Sequence, residues 1–391
     1  DMTGTKMSKS LGNIIDPLEI ISEFGADALR FSIVSITAAG QDVFLSKQKF
    51  EFGRNFANKI WNASRYIIMN LRPENVRGLD LCVYSASLDM NLADKWILSR
   101  YYQALHKAGR ALDAYRFRAA ASVIYDFFWH DFCDWYIEFA KPYINEPHTQ
   151  IVLYKVLEKS LRVLHPFMPF ITEEIWSNLN VILSHDSNVI LSPEGAKDLT
   201  SDSSARHLRW RPQNDKGSIM LQRWPHEQKQ LINKDIEVQM RTLIDAITAI
   251  RNIRNNWNIS PSVKVDVLIK AKKDARDILR RDQVYIKNLA RVEGIAIEED
   301  IKKPPKSAAA VVKDMEIYVP LEQYIDLKSE EKRLAKKVEE ILTVIKGLDA
   351  KLKNKEFLKK APGEIVDKEK ARKTELSDML NRLEENLKEL K

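Results

Sequence analysis

Residues 50–71 read FEFGRNFANKIWNASRYIIMNL, and their apolar side chains recur at the spacing of an α-helix. Phe56, Ile60, Ala63 and Ile67 follow one another at intervals of three and four, which places them on one helix face. The same spacing recurs in four further stretches joined by short connections: residues 92–115, 118–141, 151–164 and 169–179. These stretches predict a helical bundle, because each apolar stripe must be covered by another helix.

Aromatic residues are concentrated in these stretches, and most are expected in the core: Trp61, Trp96, Phe127, Phe128, Trp129, Trp135 and Trp176. Among them lie His130, Asp131, Cys133 and Asp134, which could suggest a metal site or a catalytic cysteine. Their spacing suits metal binding poorly, and their aromatic neighbours predict a helix packed into the bundle. We therefore interpret these four residues as structural.

After the bundle the pattern changes. Residues 184–217 lose the helical spacing and gather Ser, Asp, Asn and Pro, which predicts a long surface loop or an insertion. A helix is predicted at residues 236–255 and another near 274–281, and strands are predicted at 263–269 and 315–319. These elements predict a small mixed α/β unit.

From Leu327 onward, apolar residues alternate in steps of three and four, which is a heptad pattern. The pattern stops at residues 354–363, where Pro362 and Gly363 interrupt it, and resumes from Leu376. It predicts two helices of about 26 residues, each roughly 40 Å long, that pair as an antiparallel coiled coil. The expected fold is therefore mainly α: a helical bundle, a small mixed α/β subdomain and a C-terminal antiparallel coiled-coil hairpin.

The segment DPLEIISEFGADALR at residues 16–30 predicts two short helices. Asp16 is suited to be the N-cap of the first helix, Pro17 suits its first position, and Gly25 separates the two. The pair predicts a compact helical linker.

The loop that precedes the linker reads KMSKS at Lys6–Ser10 and is bounded by Gly4 and Gly12. Ammonium groups can offset charge on a leaving pyrophosphate, hydroxyl and backbone N–H groups can donate to phosphate oxygens, and glycines permit movement. A solvated basic loop is the alternative interpretation of this composition.

Chain length and composition limit the possible classes of protein but do not identify a function. The 391 residues suggest roughly two or three folding units. The chain has 62 Lys and Arg against 55 Asp and Glu, a net charge of +7 that suits a polyanionic partner without demonstrating one.

Cys82 and Cys133 are too few for a zinc cage or a disulfide framework, so no structural metal and a reducing compartment are expected. No apolar run approaches the ~20 residues of a membrane span, and a cytoplasmic protein is expected.

The KMSKS string and its continuation into GN, DPLE and GADALRF resemble the second signature of class I aminoacyl-tRNA synthetases that charge valine, isoleucine and leucine. Further stretches resemble the valyl-tRNA synthetases, namely residues 53–67, 115–117, 128–138, 164–176, 218–225, 246–262 and 351–370. An isoleucyl enzyme of bacterial type normally ends in a cysteine-rich zinc module, whereas this chain has no cysteine after Cys133. The valyl assignment is therefore preferred.

The resemblance implies a role for the loop. Lys6 and especially Lys9 would stabilise the transition state of aminoacyl-adenylate formation, and Met7, Ser8 and Ser10 would complete the ATP-binding loop. ATP with Mg²⁺ would be a substrate.

The resemblance also implies that the bundle holds the anticodon stem and loop of tRNA(Val). Arg54, Asn58 and Arg65 share a helix face and are candidate contacts, although a solvated helix face is the alternative. The hairpin would support the outer corner of the tRNA. Its turn carries Phe357 and a cluster of lysines suited to phosphate contacts: Lys353, Lys355, Lys359 and Lys360.

The expected divisions are the loop and linker at 1–40, the anticodon-binding bundle at 41–232, the α/β subdomain at 233–325 and the arm at 326–391. The expected function is ATP-dependent attachment of valine to tRNA(Val) through valyl-adenylate, by a monomer. The chain starts with Asp1 in a loop, so the nucleotide fold, the valine pocket and the editing domain are expected upstream and the chain alone is expected to be inactive. The alternatives are a freestanding tRNA-binding module without catalysis, or part of an isoleucyl- or leucyl-tRNA synthetase.

Overall fold

The computed structural model describes residues 5–37, 43–76, 90–183, 217–353 and 363–390. The chain forms two compact units, Asp1–Met240 and Arg241–Lys391. Residues 184–216, where a surface loop or insertion is predicted, and the predicted hairpin turn at 354–362 lie outside the described residues.

The described elements of the first unit are helices, as the apolar spacing predicts. It begins with the short helices α1 (Pro17–Phe24) and α2 (Ala26–Ile36). The following helices are α3 (Gln48–Asn70), α4 (Pro73–Val76), α5 (Leu92–Asp113), α6 (Phe117–Asp126), a π-helix (Phe127–Tyr136), α7 (Ile137–Ala140), α8 (Pro147–Leu164) and α9 (Pro169–Leu183). The helical bundle is therefore confirmed.

The π-helix lies in the middle of the helical stretch predicted at 118–141. Phe128, Phe132 and Tyr136 are buried along it, with ring centroids 5.4 Å apart for the first pair and 5.9 Å for the second. The wider π turn accommodates these large rings on one buried face. Apolar spacing alone does not distinguish this geometry from an α-helix, so the sequence analysis did not predict it.

A buried carboxylate ties three helices of the bundle together. The Tyr136 hydroxyl donates to Asp94 Oδ1 at 2.6 Å, the Thr149 hydroxyl donates to Asp94 Oδ2 at 3.1 Å, and His148 Nδ1 lies 2.8 Å from Oδ2. A buried charge is costly unless it is hydrogen-bonded, and these contacts satisfy both oxygens. Asp94 therefore joins α5 to the π-helix and α8.

The aromatic residues and Cys133 are placed as expected. Trp96, Phe127, Phe128 and Trp176 are buried, whereas the remaining three are half-buried: Trp61, Trp129 and Trp135. The Cys133 thiol is buried, and burial raises its pKa, which opposes a role as a nucleophile.

The acidic neighbours of Cys133 are engaged in ion pairs. Asp131 pairs with Arg100 at 2.9 Å, and Asp134 lies 2.7 Å from Lys59 Nζ. Within the described ranges, His, Cys, Asp and Glu side chains form no group of three or more that could hold a metal ion. The same part of the chain contains no helix with the length and apolar character of a membrane span.

The second unit contains a four-stranded sheet in the order β2-β1-β4-β3. Strand β1 (Val265–Ala271) pairs in parallel with β2 (Val292–Glu298) and antiparallel with β4 (Met315–Pro320), and β3 (Ser307–Val312) pairs antiparallel with β4. The helices of this region are α10 (Lys234–Asn256), which precedes β1, and α11 (Lys273–Arg281) and α12 (Gln283–Ala290), which connect β1 to β2. The small mixed α/β unit is therefore confirmed.

Two of these strands were not predicted. Strand β2 reads VEGIAIE and has an irregular burial pattern, with only Val292 and Ile297 buried. Strand β3 reads SAAAVV, lies at the sheet edge and begins with small residues that favour strands weakly. Both strands are formed by pairing with neighbours in the sheet, which no local pattern reports.

The C-terminal helices pair as an antiparallel hairpin. Helices α13 (Leu327–Lys353) and α14 (Gly363–Leu390) are joined by ion pairs between Asp349 and Lys373 at 2.5 Å and between Lys351 and Glu369 at 3.6 Å. Leu334, Ile341 and Leu348 are buried seven residues apart, with Leu383 buried on α14. The hydrogen bond from Lys373 lowers the pKa of the Asp349 carboxyl.

A glycine allows the linker to contact the bundle closely. Gly53 on α3 donates its N–H to the Ser32 hydroxyl on α2 at 3.1 Å. A Cβ at this position would lie 2.3 Å from the Ala28 carbonyl oxygen and 2.6 Å from the Ser32 hydroxyl. Only glycine therefore permits the observed approach of α2 to α3.

A second contact fixes α2 to the start of α9. The Asp27 carboxylate accepts hydrogen bonds from the N–H groups of Ile171 at 2.7 Å and Phe170 at 3.3 Å, and Arg30 Nη2 donates to the Pro166 carbonyl at 3.0 Å. The Asp27 carboxylate thus caps α9 in the manner of an N-cap residue. Burial of the carboxyl raises its pKa, and the two backbone hydrogen bonds oppose this effect. We call the contacts of Asp27, Arg30 and Gly53 the linker joint.

Substitution of Gly53 tests the close approach. Gly53→Ala should lower the free energy of unfolding of the first unit by about 1–3 kcal/mol, because α2 and α3 must separate to admit the methyl group. Gly109 in α5 is the matched control, since a Cβ there meets no atom within 4 Å. Gly109→Ala should instead stabilise by ~0.5–1 kcal/mol. Denaturant unfolding followed by circular dichroism measures both, and equal effects of the two variants would contradict the account.

The pH dependence of stability tests the burial of Asp27. A carboxyl whose pKa is raised in the folded state stabilises the fold below its unfolded pKa, and this contribution is lost as pH rises through the folded pKa. The wild type should therefore lose stability relative to Asp27→Asn as pH rises above about 4, the ordinary pKa of an aspartate. Asp126→Asn removes an exposed carboxylate from the same bundle as a control. A difference between wild type and Asp27→Asn that grows in favour of the wild type would disprove the prediction.

Candidate functional site

The loop that carries the KMSKS string is folded back on itself by Asn13. The side-chain oxygen of Asn13 accepts the Ser8 N–H at 2.9 Å, and its side-chain nitrogen lies 3.5 Å from the Lys6 carbonyl oxygen. Leu11 donates its N–H to the Ser8 carbonyl at 3.2 Å, and Gly12 has φ of +65°, a conformation that glycine adopts readily. Asn13 and Gly12 thus close the loop immediately after the string.

Each loop residue predicted to bind ATP lies within this closed segment. Lys6 and Ser10 are exposed, and Met7 and Ser8 are half-buried. The hydroxyls of Ser8 and Ser10 are 3.1 Å apart, and the backbone of Lys9 begins the short 3₁₀ turn Lys9–Leu11. The segment therefore combines hydroxyl donors and an ammonium group on an accessible surface, a donor set suited to phosphate oxygens.

The linker that follows the loop has the cap and the helix break that its sequence predicts. Asp16 Oδ1 accepts the Leu18 N–H at 2.8 Å, Pro17 occupies the first position of α1, and Gly25 separates α1 from α2 with φ of +93°. Helix α2 is then anchored to the bundle by the linker joint.

Aromatic rings extend the contact between linker and bundle. The centroid of Phe31 on α2 lies 4.7 Å from that of Phe56 on α3, and Phe56 lies 4.9 Å from Tyr125 on α6. Phe31 and Phe56 are buried. The candidate ATP loop is therefore attached to a firmly packed helical framework.

The linker joint does not follow from the local sequence pattern. Gly53 stands on the apolar side of a predicted helix, where glycine is a poor helix former, and this was the available signal of a close helix contact. Asp27 lies in the segment at 16–30 that predicts the two linker helices, and its position in the second helix does not mark it as a cap. Its partners lie more than a hundred residues away in the chain, so no local pattern could identify them.

The predicted RNA contacts on α3 lie on one helix face but differ in surroundings. Asn58 and Arg65 are exposed, whereas Arg54 is half-buried with its guanidinium carbon 5.5 Å from the centroid of the Phe24 ring. Arg54 therefore packs against the linker, and Asn58 and Arg65 are the accessible members of the set.

The predicted contacts at the hairpin tip are described only in part. Lys353 is exposed at the end of α13. Lys355, Lys359, Lys360 and Phe357 lie outside the described residues. Their role in binding RNA therefore stays a prediction.

Three family models match separate segments of the chain. The model of the class I tRNA synthetases for Ile, Leu, Met and Val matches residues 1–46, that of the anticodon-binding domain of tRNA ligase matches residues 94–269, and that of the valyl tRNA synthetase tRNA binding arm matches residues 326–391. The first segment contains the loop and the linker, the second runs from α5 through α10 into β1, and the third contains the helical hairpin.

Curated relatives agree on one amino acid. The valine–tRNA ligases of Aquifex aeolicus and Thermotoga maritima are each 37% identical to this chain, and that of Fervidobacterium nodosum is 38% identical, with 100% of the chain covered in each case. The chain spans 32%, 40% and 40% of the lengths of these proteins, respectively. The chain thus belongs to the class I aminoacyl-tRNA synthetases, and the relatives that match it from end to end are valine–tRNA ligases.

Proposed function

We propose that this chain supplies the ATP loop and the tRNA-binding parts of an enzyme that attaches valine to tRNA(Val). The observation that carries the proposal is the 37–38% identity to valine–tRNA ligases over the whole chain. The loop at Lys6–Ser10, in which Lys6 and Ser10 are exposed, supports it, because a freestanding RNA-binding module would have no use for a loop that binds ATP.

In the first step of the proposed reaction, a carboxylate oxygen of valine attacks the α-phosphorus of ATP bound with Mg²⁺. The bond to the β,γ-phosphates breaks, pyrophosphate leaves, and valyl-adenylate forms. Negative charge grows on the leaving pyrophosphate, where Lys6 and Lys9 stabilise it and the hydroxyls of Ser8 and Ser10 donate hydrogen bonds. The valine pocket and the remaining contacts to the nucleotide belong to parts of a longer protein.

In the second step, a ribose hydroxyl at the 3′ end of the tRNA attacks the carbonyl carbon of the adenylate, and AMP leaves. The tRNA must be held over a long distance during this step. We assign the anticodon contacts to the bundle at 41–232, support of the outer corner to the arm at 326–391, and a connecting role to the α/β subdomain at 233–325. The protein acts as a cytoplasmic monomer, with residues 1–40 joining its catalytic part to the bundle.

Because lysines of the arm contact phosphates, the affinity of the arm for tRNA depends on salt concentration rather than on RNA sequence. Lys353, Lys355, Lys359 and Lys360 supply the basic tip of the arm. On α3, Asn58 and Arg65 are the accessible candidates for the anticodon side, and Arg54 contributes through the linker.

Pyrophosphate exchange tests the proposal in a protein that includes the residues preceding this chain in its gene. With valine, Lys9→Ala should lower kcat by about 10²-fold or more and leave the KM for valine nearly unchanged, because the lysine acts mainly on the transition state. Lys95→Ala removes an exposed lysine from α5 and should leave kcat unchanged.

Several outcomes would contradict the proposal. Exchange driven by isoleucine or leucine in place of valine would overturn the substrate. A longer protein that binds tRNA but shows no exchange with any amino acid would favour a tRNA-binding module. Exchange catalysed by the 391-residue chain alone would contradict the proposal that the valine pocket lies outside this chain.

A further inference from the structure

The turn between α5 and α6 exposes two aromatic rings. Tyr115 is 81% exposed and Phe117 is 52% exposed. Their rings meet edge to face with centroids 6.4 Å apart. Two neighbouring rings in solvent form a small apolar platform that the described part of the protein does not cover. We call residues 107–118 the Tyr115 corner.

The backbone of the Tyr115 corner holds its tyrosine in an unusual conformation. Helix α5 ends with hydrogen bonds from the Arg116 N–H to the Ala111 carbonyl at 2.8 Å and from the Tyr115 N–H to the Leu112 carbonyl at 2.9 Å. In this type of helix end the residue at Tyr115 adopts left-handed φ, here +55°, and glycine is the usual occupant. Neither backbone preference nor packing within the described residues explains a tyrosine here.

The surroundings of the two rings are strongly basic. Four cationic residues of the corner are exposed, and Asp113 is the one acidic residue among them, which leaves a local charge of +3 (four minus one): Lys107, Arg110, Arg116 and Arg118. The first turn of α6 contains no acidic residue. The described residues provide no ion pair to Arg116 or Arg118, so the corner is complementary to a polyanion.

The chemistry of the corner identifies its partner among polyanions. An unpaired base offers an open face that stacks on an aromatic ring, and the adjoining phosphates pair with arginines. A duplex offers phosphates but hides its base faces, and an acidic peptide offers a ring only where it contains an aromatic residue, whereas every unpaired nucleotide offers both groups. The corner therefore fits single-stranded RNA better than either.

On the basis of the proposed function, we propose that the Tyr115 corner binds unpaired nucleotides of the tRNA. Tyr115 and Phe117 stack on the bases, and Arg116 and Arg118 contact the phosphates. The corner lies at the turn between α5 and α6, whereas Arg54, Asn58 and Arg65 lie on α3.

Substitution of Tyr115 by glycine separates binding from folding. Tyr115→Gly removes the ring and relieves the left-handed backbone, so its melting temperature should equal or exceed that of the wild type. Its Kd for a labelled tRNA(Val) transcript, measured on the 391-residue chain by fluorescence anisotropy, should rise at least about fivefold, equivalent to ~1 kcal/mol for one lost stack. Phe117→Ser should weaken binding in the same direction, and Tyr115→Trp should retain it.

Two further measurements sharpen the test. Phe170→Ser removes a ring that is 66% exposed on α9 and should leave the Kd unchanged. A single-stranded RNA that contains 2-aminopurine should show fluorescence quenching on binding to the wild type and less quenching with Tyr115→Gly, whereas the affinity for a duplex of the same sequence should respond little.

The outcomes distinguish this proposal from the function on which it rests. Failure of the wild type to bind tRNA would remove the proposed function and this inference with it. Normal binding by the wild type, with an unchanged Kd in Tyr115→Gly and Phe117→Ser, would overturn the inference alone. Loss of thermal stability in Tyr115→Gly with full RNA affinity would assign the ring to packing and would also overturn it.

Discussion

The contact between Gly53 and the Ala28 carbonyl is the constraint on which the arrangement of the first unit depends. It brings α2 against α3 at a distance that any larger residue would prevent. At this distance Asp27 caps α9 and Phe31 packs against Phe56, so one short helix is fixed to two distant helices of the bundle. The KMSKS loop leads into this helix pair through α1. Its attachment to the bundle is therefore determined by steric fit at one glycine and by one buried carboxylate.

This attachment gives the proposed function a physical basis. An enzyme that activates an amino acid and transfers it to tRNA must hold an ATP-binding loop and an RNA-binding surface in a common framework. The loop supplies accessible donors, since Lys6 and Ser10 are exposed beside the turn that Gly12 and Asn13 close. The bundle supplies rigidity through its buried aromatic rings and the Asp94 hydrogen bonds. The candidate ATP-binding segment is accessible, and the helices that follow it are packed into the bundle.

Local patterns in the sequence predicted those features that local interactions determine. The helix cap at Asp16, the break at Gly25 and the heptad spacing of the hairpin follow from neighbours a few residues apart, and each was predicted correctly. Strands β2 and β3, the π-helix and the linker joint depend on partners far along the chain, and none was predicted. The residues of the KMSKS loop could be identified by resemblance. The Asp27 carboxylate, which fixes the linker to the bundle, could not. The exposed ring of Tyr115 could not be predicted from the sequence either, because only the fold shows that it is exposed.

The contacts around Gly53 and Asp27 should make the linker and the bundle one cooperative unit, to which the KMSKS loop is attached. Native-state hydrogen exchange of the 391-residue chain measures this directly, residue by residue. Interior amides of α2 (Ala26–Ile36) should exchange with the same opening free energy as interior amides of α3 (Gln48–Asn70), because α2 can open only when the contacts around Gly53 and Asp27 are lost. Exchange of α2 amides through a separate local opening, well before those of α3, would contradict the account.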